Sequence, residues 1–138
     1  MKKENLERHC PVLLEEVMGF LEKKAGQIAV DATFGSGGHS RRMLEKLAEK
    51  SFLVAMDIDR RAEKVFKEFS LEDQQKAVFV EGNFRDIKRV LEHEHIEIVD
   101  FILADLGWRL EQIKDDDYGL NFSSRKSLSM RLDGEKEG

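Results

Sequence analysis

Four short apolar runs punctuate the chain, and the segments between them carry helical periodicity. The runs are IAVDAT (28–33), FLVAMDID (52–59), AVFVEGNF (77–84) and IVDFILADLG (98–107). A strand that must pass through a helix before the next strand cannot fold back as a hairpin, so consecutive strands pair in parallel. Each run is almost continuously apolar, as strands are when both faces are covered. Between the runs, three sets of residues recur at helical spacing: Met43, Leu44, Leu47 and Ala48 within 40–50; Ala62, Val65, Phe66 and Phe69; and Ile87, Val90 and Leu91. Ahead of the first run, Val12, Leu13, Val17, Met18 and Leu21 predict a further helix over 12–23. The expected fold is α/β: a doubly wound parallel sheet with flanking helices.

A length of 138 residues suits one domain, and 41% hydrophobic residues suffice for a core. The alternation ends near residue 110. From 111 to 138 the chain is polar and without a sustained period, which reads as a loop or partly disordered tail after a Rossmann-like unit over 1–110. The net charge of −5 argues against strong unaided gripping of a nucleic-acid backbone, because that affinity comes mostly from Lys and Arg. Two basic groups, Arg41, Arg42 and Lys46 and then Arg60, Arg61 and Lys64, suit either RNA phosphates or a solvated helix face. With Cys10 as the single cysteine, no internal disulfide can form, and no clustered Cys/His spacing suggests a metal. The opening MKKENLERH lacks the apolar stretch of a signal peptide, and no run reaches transmembrane length. A cytoplasmic location and no membrane partner are expected.

The chemistry concentrates in VDATFGSGGHS, Val30 to Ser40. In open α/β sheets, ligands bind beyond the carboxyl ends of the strands, where the strand order reverses. Gly35, Gly37 and Gly38 follow the first strand, where glycine admits positive φ and close approach of a ligand. A helix amino terminus follows, with N–H groups to offer a negative group. Asp57 ends the second strand about twenty residues on, where a carboxylate accepts hydrogen bonds from ribose hydroxyls. A tight strand-to-helix turn with a capping acid is the plainer alternative, but the combination favours a nucleoside-containing ligand. Ser40 stands where the dinucleotide fingerprint wants Gly or Ala, which counts against a nicotinamide-dependent oxidoreductase.

With these residues assembled, the chain resembles the amino-terminal part of the bacterial small-subunit (16S) ribosomal RNA cytosine-N4 methyltransferases, the RsmH (MraW) family. The resemblance is carried by H-x-P-V-L-L-x-E at His9 to Glu16, D-A-T-F-G-x-G-G-H-S at Asp31 to Ser40, and D-x-D at Asp57 to Asp59. Asn83-Phe84, Asp105-Leu106-Gly107, Gln112 and M-R-x-D at Met130 to Asp133 follow in family order. It implies a class I methyltransferase fold and S-adenosylmethionine as cofactor. It places cofactor contacts at Gly37, Gly38, His39, Asp57, Phe84, Asp105 and Gln112, with Gly35 in the same turn. Phe84 suits an adenine ring and Asp105 faces the cleft where the methyl group emerges; His39 serves either the cofactor or the helix start. The implied substrate is the N4 amino group of a cytidine in small-subunit ribosomal RNA, with Asp105 as the candidate catalytic group.

Two departures temper what the resemblance implies. The family chain is roughly twice as long, so the sheet is expected to be truncated, with one side of the fourth strand open to a second copy or another chain. After Asp105-Leu106-Gly107 the family has Val-Ser-Ser-Pro-Gln-Leu-Asp; this chain has Trp108, Arg109, Leu110, Glu111, Gln112, Ile113 and Lys114. Weak or absent transfer by the chain alone is therefore expected. A non-enzymatic S-adenosylmethionine-binding or interaction module and one part of a split methyltransferase stand as alternatives.

Overall fold

The structure is a computed structural model and describes residues 11–107. Its elements are α1 (Leu14–Phe20), β1 (Ile28–Asp31), α2 (Gly38–Lys46), β2 (Phe52–Asp57), α3 (Arg61–Lys67), α4 (Leu71–Gln75), β3 (Ala77–Glu81), α5 (Ile87–His93) and β4 (Phe101–Leu103). A single 3-10 turn, Phe84–Asp86, joins β3 to α5. The four strands form one sheet in the order β3-β2-β1-β4, and every pair is parallel. The chain winds outward from β1 to β3, then crosses back through α5 to lay β4 on the other side of β1. The order reverses between β1 and β4, so their carboxyl ends form the switch point.

Period-two alternation sends neighbouring strand residues to opposite faces. Ala29, Leu53, Ala55 and Ala77 join Met18, Leu21, Met43, Leu44, Ala62, Phe66 and Phe69 in one apolar layer. Val30, Val54 and Met56 point the other way, against Ile87, Val90 and Leu91 of α5. Both faces of β1 and β2 are thus covered, which is why those strands read as continuous apolar runs.

The helices run shorter than their periodicity suggests. Where 12–23 predicts a helix, α1 occupies Leu14–Phe20, because Leu13 adopts a left-handed conformation and Leu21 turns extended. Where 40–50 predicts another, α2 begins at Gly38, and Leu47 leaves the helix at ψ 132°. β4 keeps only Phe101–Leu103 of the run 98–107, matching the three residues Ala29–Asp31 that β1 offers it. Periodicity misses α4, which buries no residue. Its signal is a cap: the Asp73 N–H donates to Ser70 Oγ at 3.1 Å, and the Ser70 hydroxyl donates to Asp73 Oδ2 at 2.7 Å.

Among the described residues β4 forms one edge of the sheet. Ile102 sits in register with Val30, yet is 54% exposed where Val30 is 0% exposed. Among the described residues, the layer over Val30 therefore does not extend across β4. No helix among the described residues is long and apolar enough to cross a membrane. The boundary near residue 110 and the polar stretch 111–138 lie outside the described residues.

The sheet's central packing is testable at Leu53, which is fully buried on β2. Leu53→Ala is expected to lower unfolding free energy by about 2–5 kcal/mol, read as an earlier urea midpoint at unchanged slope. A loss under about 1 kcal/mol would contradict burial of Leu53 in the layer it shares with Ala29 and Ala55.

Candidate functional site

The turn from β1 to α2 is closed by two side chains of its own. Asp31, the last residue of β1, is 1% exposed, and Ser40, in the first turn of α2, is fully buried. The Ser40 hydroxyl donates to Asp31 Oδ2 at 2.6 Å, and the Thr33 N–H donates to Asp31 Oδ1 at 3.2 Å. A carboxylate taken out of water demands donors, and only a chain that returns within nine residues can supply Ser40 as one. The peptide between must bend sharply, and Gly35 (φ 58°) and Gly37 (φ 74°) take the left-handed conformations that the bend requires.

The turn is also tied to both neighbouring strands. The Phe34 N–H donates to the Met56 carbonyl at 2.8 Å, and the Gly35 N–H to Asp57 Oδ2 at 2.7 Å. On the other side, the Asp105 N–H donates to Thr33 Oγ1 at 2.7 Å. The carboxyl ends of β2, β1 and β4 are thereby held in one constellation. Underneath, Phe34, Phe66, Phe69 and Phe79 form an aromatic cluster with ring centroids 5.5–6.0 Å apart. It explains why residue 37 has no side chain: a Cβ there would lie 2.8 Å from Phe34 Cζ and 2.9 Å from Phe69 Cζ. Gly38 is crowded from outside, where a Cβ would lie 2.3 Å from Pro11 Cγ. At these two positions the bareness of the turn serves the chain's own packing.

The candidate residues fall into distinct environments. Asp57 is half-buried; Oδ1 accepts from the Asp59 N–H at 2.8 Å and Oδ2 from Gly35. A carboxylate has about four acceptor positions, so two such bonds leave capacity for hydroxyl donors. Phe84, just past the carboxyl end of β3, is 45% exposed and belongs to neither core layer. Asp105 is exposed beyond the end of β4. Gly35, Asp57 and Asp105 are linked through the turn's hydrogen bonds, and Phe84 lies at the same end of the sheet. His39 is buried and does not cap the helix; its Nε2 lies 3.2 Å from the Val12 carbonyl. Gln112 lies outside the described residues.

Several of the basic residues are engaged within the chain. Arg42 pairs with Glu15 at 3.3 Å and Glu45 at 2.5 Å, Arg41 stacks 3.9 Å above the Phe69 ring, and Lys46 donates to the Met18 carbonyl. Arg60 lies 3.7 Å from Glu81. The Asp31–Ser40 pair and the Pro11–Val12 segment escape sequence reasoning as site elements. Asp31 carries a usable signal, an acid closing an apolar strand with a hydroxyl nine residues on.

Burial pushes the Asp31 carboxyl up from its ordinary value of 3.8 to about 6. The Ser40 and Thr33 hydrogen bonds and the nearby His39 pull it back, while Asp57 adds a smaller upward push. The folded protein therefore holds a proton on Asp31 at a pH where the unfolded chain has released it. Over that window stability falls as pH rises, the reverse of an ion-paired carboxylate.

A family model described as the MraW methylase family matches residues 6–138. Ribosomal RNA small subunit methyltransferase H of Caldicellulosiruptor bescii is 41% identical over 125 residues, covering 91% of this chain and 40% of that protein. The protein of the same name from Clostridium botulinum (strain Hall) is 37% identical over 129 residues, covering 94% and 41%. The chain thus spans about 40% of the length of these curated relatives. A crystal structure from Clostridium thermocellum, provisionally assigned as an rRNA-methylase, matches with TM-score 0.56 at 20% identity. It covers 71% of this chain and 52% of that one, a likeness of fold.

The buried carboxyl gives a pH signature. Relative to Asp31→Asn, the wild-type chain is expected to gain up to about 3 kcal/mol of stability as pH falls from 7 to 4. Urea unfolding of both proteins at each pH measures the difference. A difference constant across that range would contradict the burial of an ionisable group.

Proposed function

The chain belongs to the MraW methylase family, and from that premise we propose that its α/β unit binds S-adenosylmethionine at the turn between β1 and α2. The reaction it serves is methyl transfer to the N4 amino group of a cytidine in small-subunit ribosomal RNA, in the cytoplasm. The observation that carries the reading is the switch-point constellation of Gly35, Asp57 and Asp105, joined through one hydrogen-bonded turn. When bound, S-adenosylmethionine supplies an electrophilic methyl group on a sulfonium.

The residues divide the work. Asp57 takes the ribose hydroxyls on its remaining acceptor positions. The exposed ring of Phe84 offers an apolar face to adenine, a contact driven by burial and stacking. Backbone N–H groups of Gly38 and His39, which helix geometry leaves without partners inside α2, suit the negative end of the methionine part. Gln112 joins the set through the family's pattern.

A cytosine amine is a poor nucleophile, because its lone pair is delocalised into the ring. Orientation is therefore the chief requirement, worth of order 7–11 kcal/mol in the best aligned cases. Methylation of that nitrogen would require the amine to give up one proton. The exposed Asp105 carboxylate is the group to orient the amine and take that proton. The target base must leave its stack to reach it.

The exposure of Ile102 on β4, an edge of the sheet among the described residues, favours a second element of the reading. This chain carries cofactor binding, and efficient transfer needs further structure over the open side of β4, of the kind supplied by the part of the relatives' length that these residues do not span. Methylation of small-subunit RNA by the chain alone, at the rate of a full-length relative, would overturn this element.

Calorimetry with S-adenosylmethionine and NAD side by side tests the cofactor. Binding of the first and not the second is expected. Asp57→Ala should weaken it roughly 10–100-fold, the loss of one or two hydrogen bonds to a charged group. Failure of the folded chain to bind S-adenosylmethionine at millimolar concentration would refute the proposal.

A further inference from the structure

Gly38 poses a question that the turn does not answer. It lies outside the positive-φ region that Gly35 and Gly37 occupy, so its backbone conformation suits any residue. What excludes a side chain is space: a Cβ would lie 2.3 Å from Pro11 Cγ and 3.1 Å from Pro11 Cδ. The next residue, His39, turns its imidazole to the same segment, with Nε2 3.2 Å from the Val12 carbonyl. A carbonyl only accepts, so Nε2 carries the proton and His39 donates. Leu13 then takes φ 53°, a conformation a leucine holds only where its surroundings impose it. Beyond it, α1 is tied to α2 by Lys46 on the Met18 carbonyl, by Arg42 with Glu15, and by burial of Met18 and Leu21.

Two consecutive residues at the start of α2 are thus committed to one peptide, Gly38 by yielding room and His39 by a partly buried hydrogen bond. We infer that the Pro11–Val12 segment is a strap forming one wall of the cofactor site. Gly38 and His39 act on cofactor binding as positioning residues that seat this strap, not through side-chain contact with the ligand. The inference rests on the reading that S-adenosylmethionine occupies the turn. It adds Pro11 and Val12 to the machinery and gives His39 a role that neither helix capping nor ligand contact describes.

A double-mutant cycle separates the strap from the ligand as the reason for Gly38. Gly38→Ala is expected to raise the Kd for S-adenosylmethionine by at least about 10-fold and to speed hydrogen exchange of amides 12–20. Adding Pro11→Gly removes the clash, so the double variant should return to within about 3-fold of Pro11→Gly alone. If Gly38→Ala weakened binding as much in the Pro11→Gly background as in the wild type, the inference would be overturned, since the ligand would then be what excludes the methyl group. In parallel, His39→Ala should speed exchange over 12–20 and weaken binding, while His39→Gln, which keeps a donor, should restore both. If Gly38→Ala does not fold, the His39 pair decides. Wild-type binding with His39→Ala indistinguishable in affinity and exchange would overturn the strap while sparing the cofactor reading. Exchange that follows the His39 variants in a protein that does not bind S-adenosylmethionine would overturn the cofactor reading, and the strap's part in it, while leaving the seat itself intact.

Discussion

The hydrogen bond from Ser40 to Asp31 spans nine residues of sequence and closes the turn on which the candidate site is built. Both residues are removed from water, where an unpartnered carboxylate costs several kcal/mol. That penalty makes the path of the turn cooperative. The backbone must bend within residues 32–39, two glycines must accept positive φ, and the freed N–H groups must find acceptors on β2. Phe34 and Gly35 find theirs in Met56 and Asp57, while Thr33 turns its hydroxyl to the Asp105 N–H. One buried pair thus fixes the spacing between an acid on β2 and an acid beyond β4.

The same bond explains why Ser40 stands where a dinucleotide site prefers Gly or Ala. In the dinucleotide arrangement a small residue allows close packing of helix on strand. Here the hydroxyl occupies that space and uses it to satisfy Asp31. The aromatic cluster under the turn works in the same sense, because Phe34 and Phe69 fill the volume that a side chain at Gly37 would need. The turn is a preformed object supported by its own chain, and preorganisation of that kind lowers the ordering cost of binding a small ligand.

Much of this architecture was legible from sequence because it follows from periodicity. The continuous apolar runs at 28–33 and 52–59 reflect strands buried on both faces, and the strands Ile28–Asp31 and Phe52–Asp57 begin where those runs begin and end two residues before them. The approximate limits of the helices were legible, their ends were not. Ends are set by single backbone choices, such as Leu13 going left-handed or Leu47 turning extended, which no period encodes. The helix at Leu71–Gln75 was invisible to periodicity because it buries nothing. At the site, the position of Asp57 was readable from strand order alone. The reason for Gly37 and Gly38 was not, because a glycine that makes room for Phe69 or Pro11 looks in sequence like one that makes room for a ligand. His39 is similar: its partner is a carbonyl, and carbonyls leave no mark on a residue pattern.

Membership of the methylase family accounts for the fold and directs attention to the switch point; the local physics explains why the point has its shape. The most direct test of that account is to map the amides of the isotopically labelled chain by NMR during titration with S-adenosylmethionine. The account predicts the largest shift changes at residues 35–40, 57, 84 and 105, all at the carboxyl end of the sheet. Saturable changes confined elsewhere, such as the groove between α1 and α2 lined by Met18, Lys23 and Lys46, would contradict it.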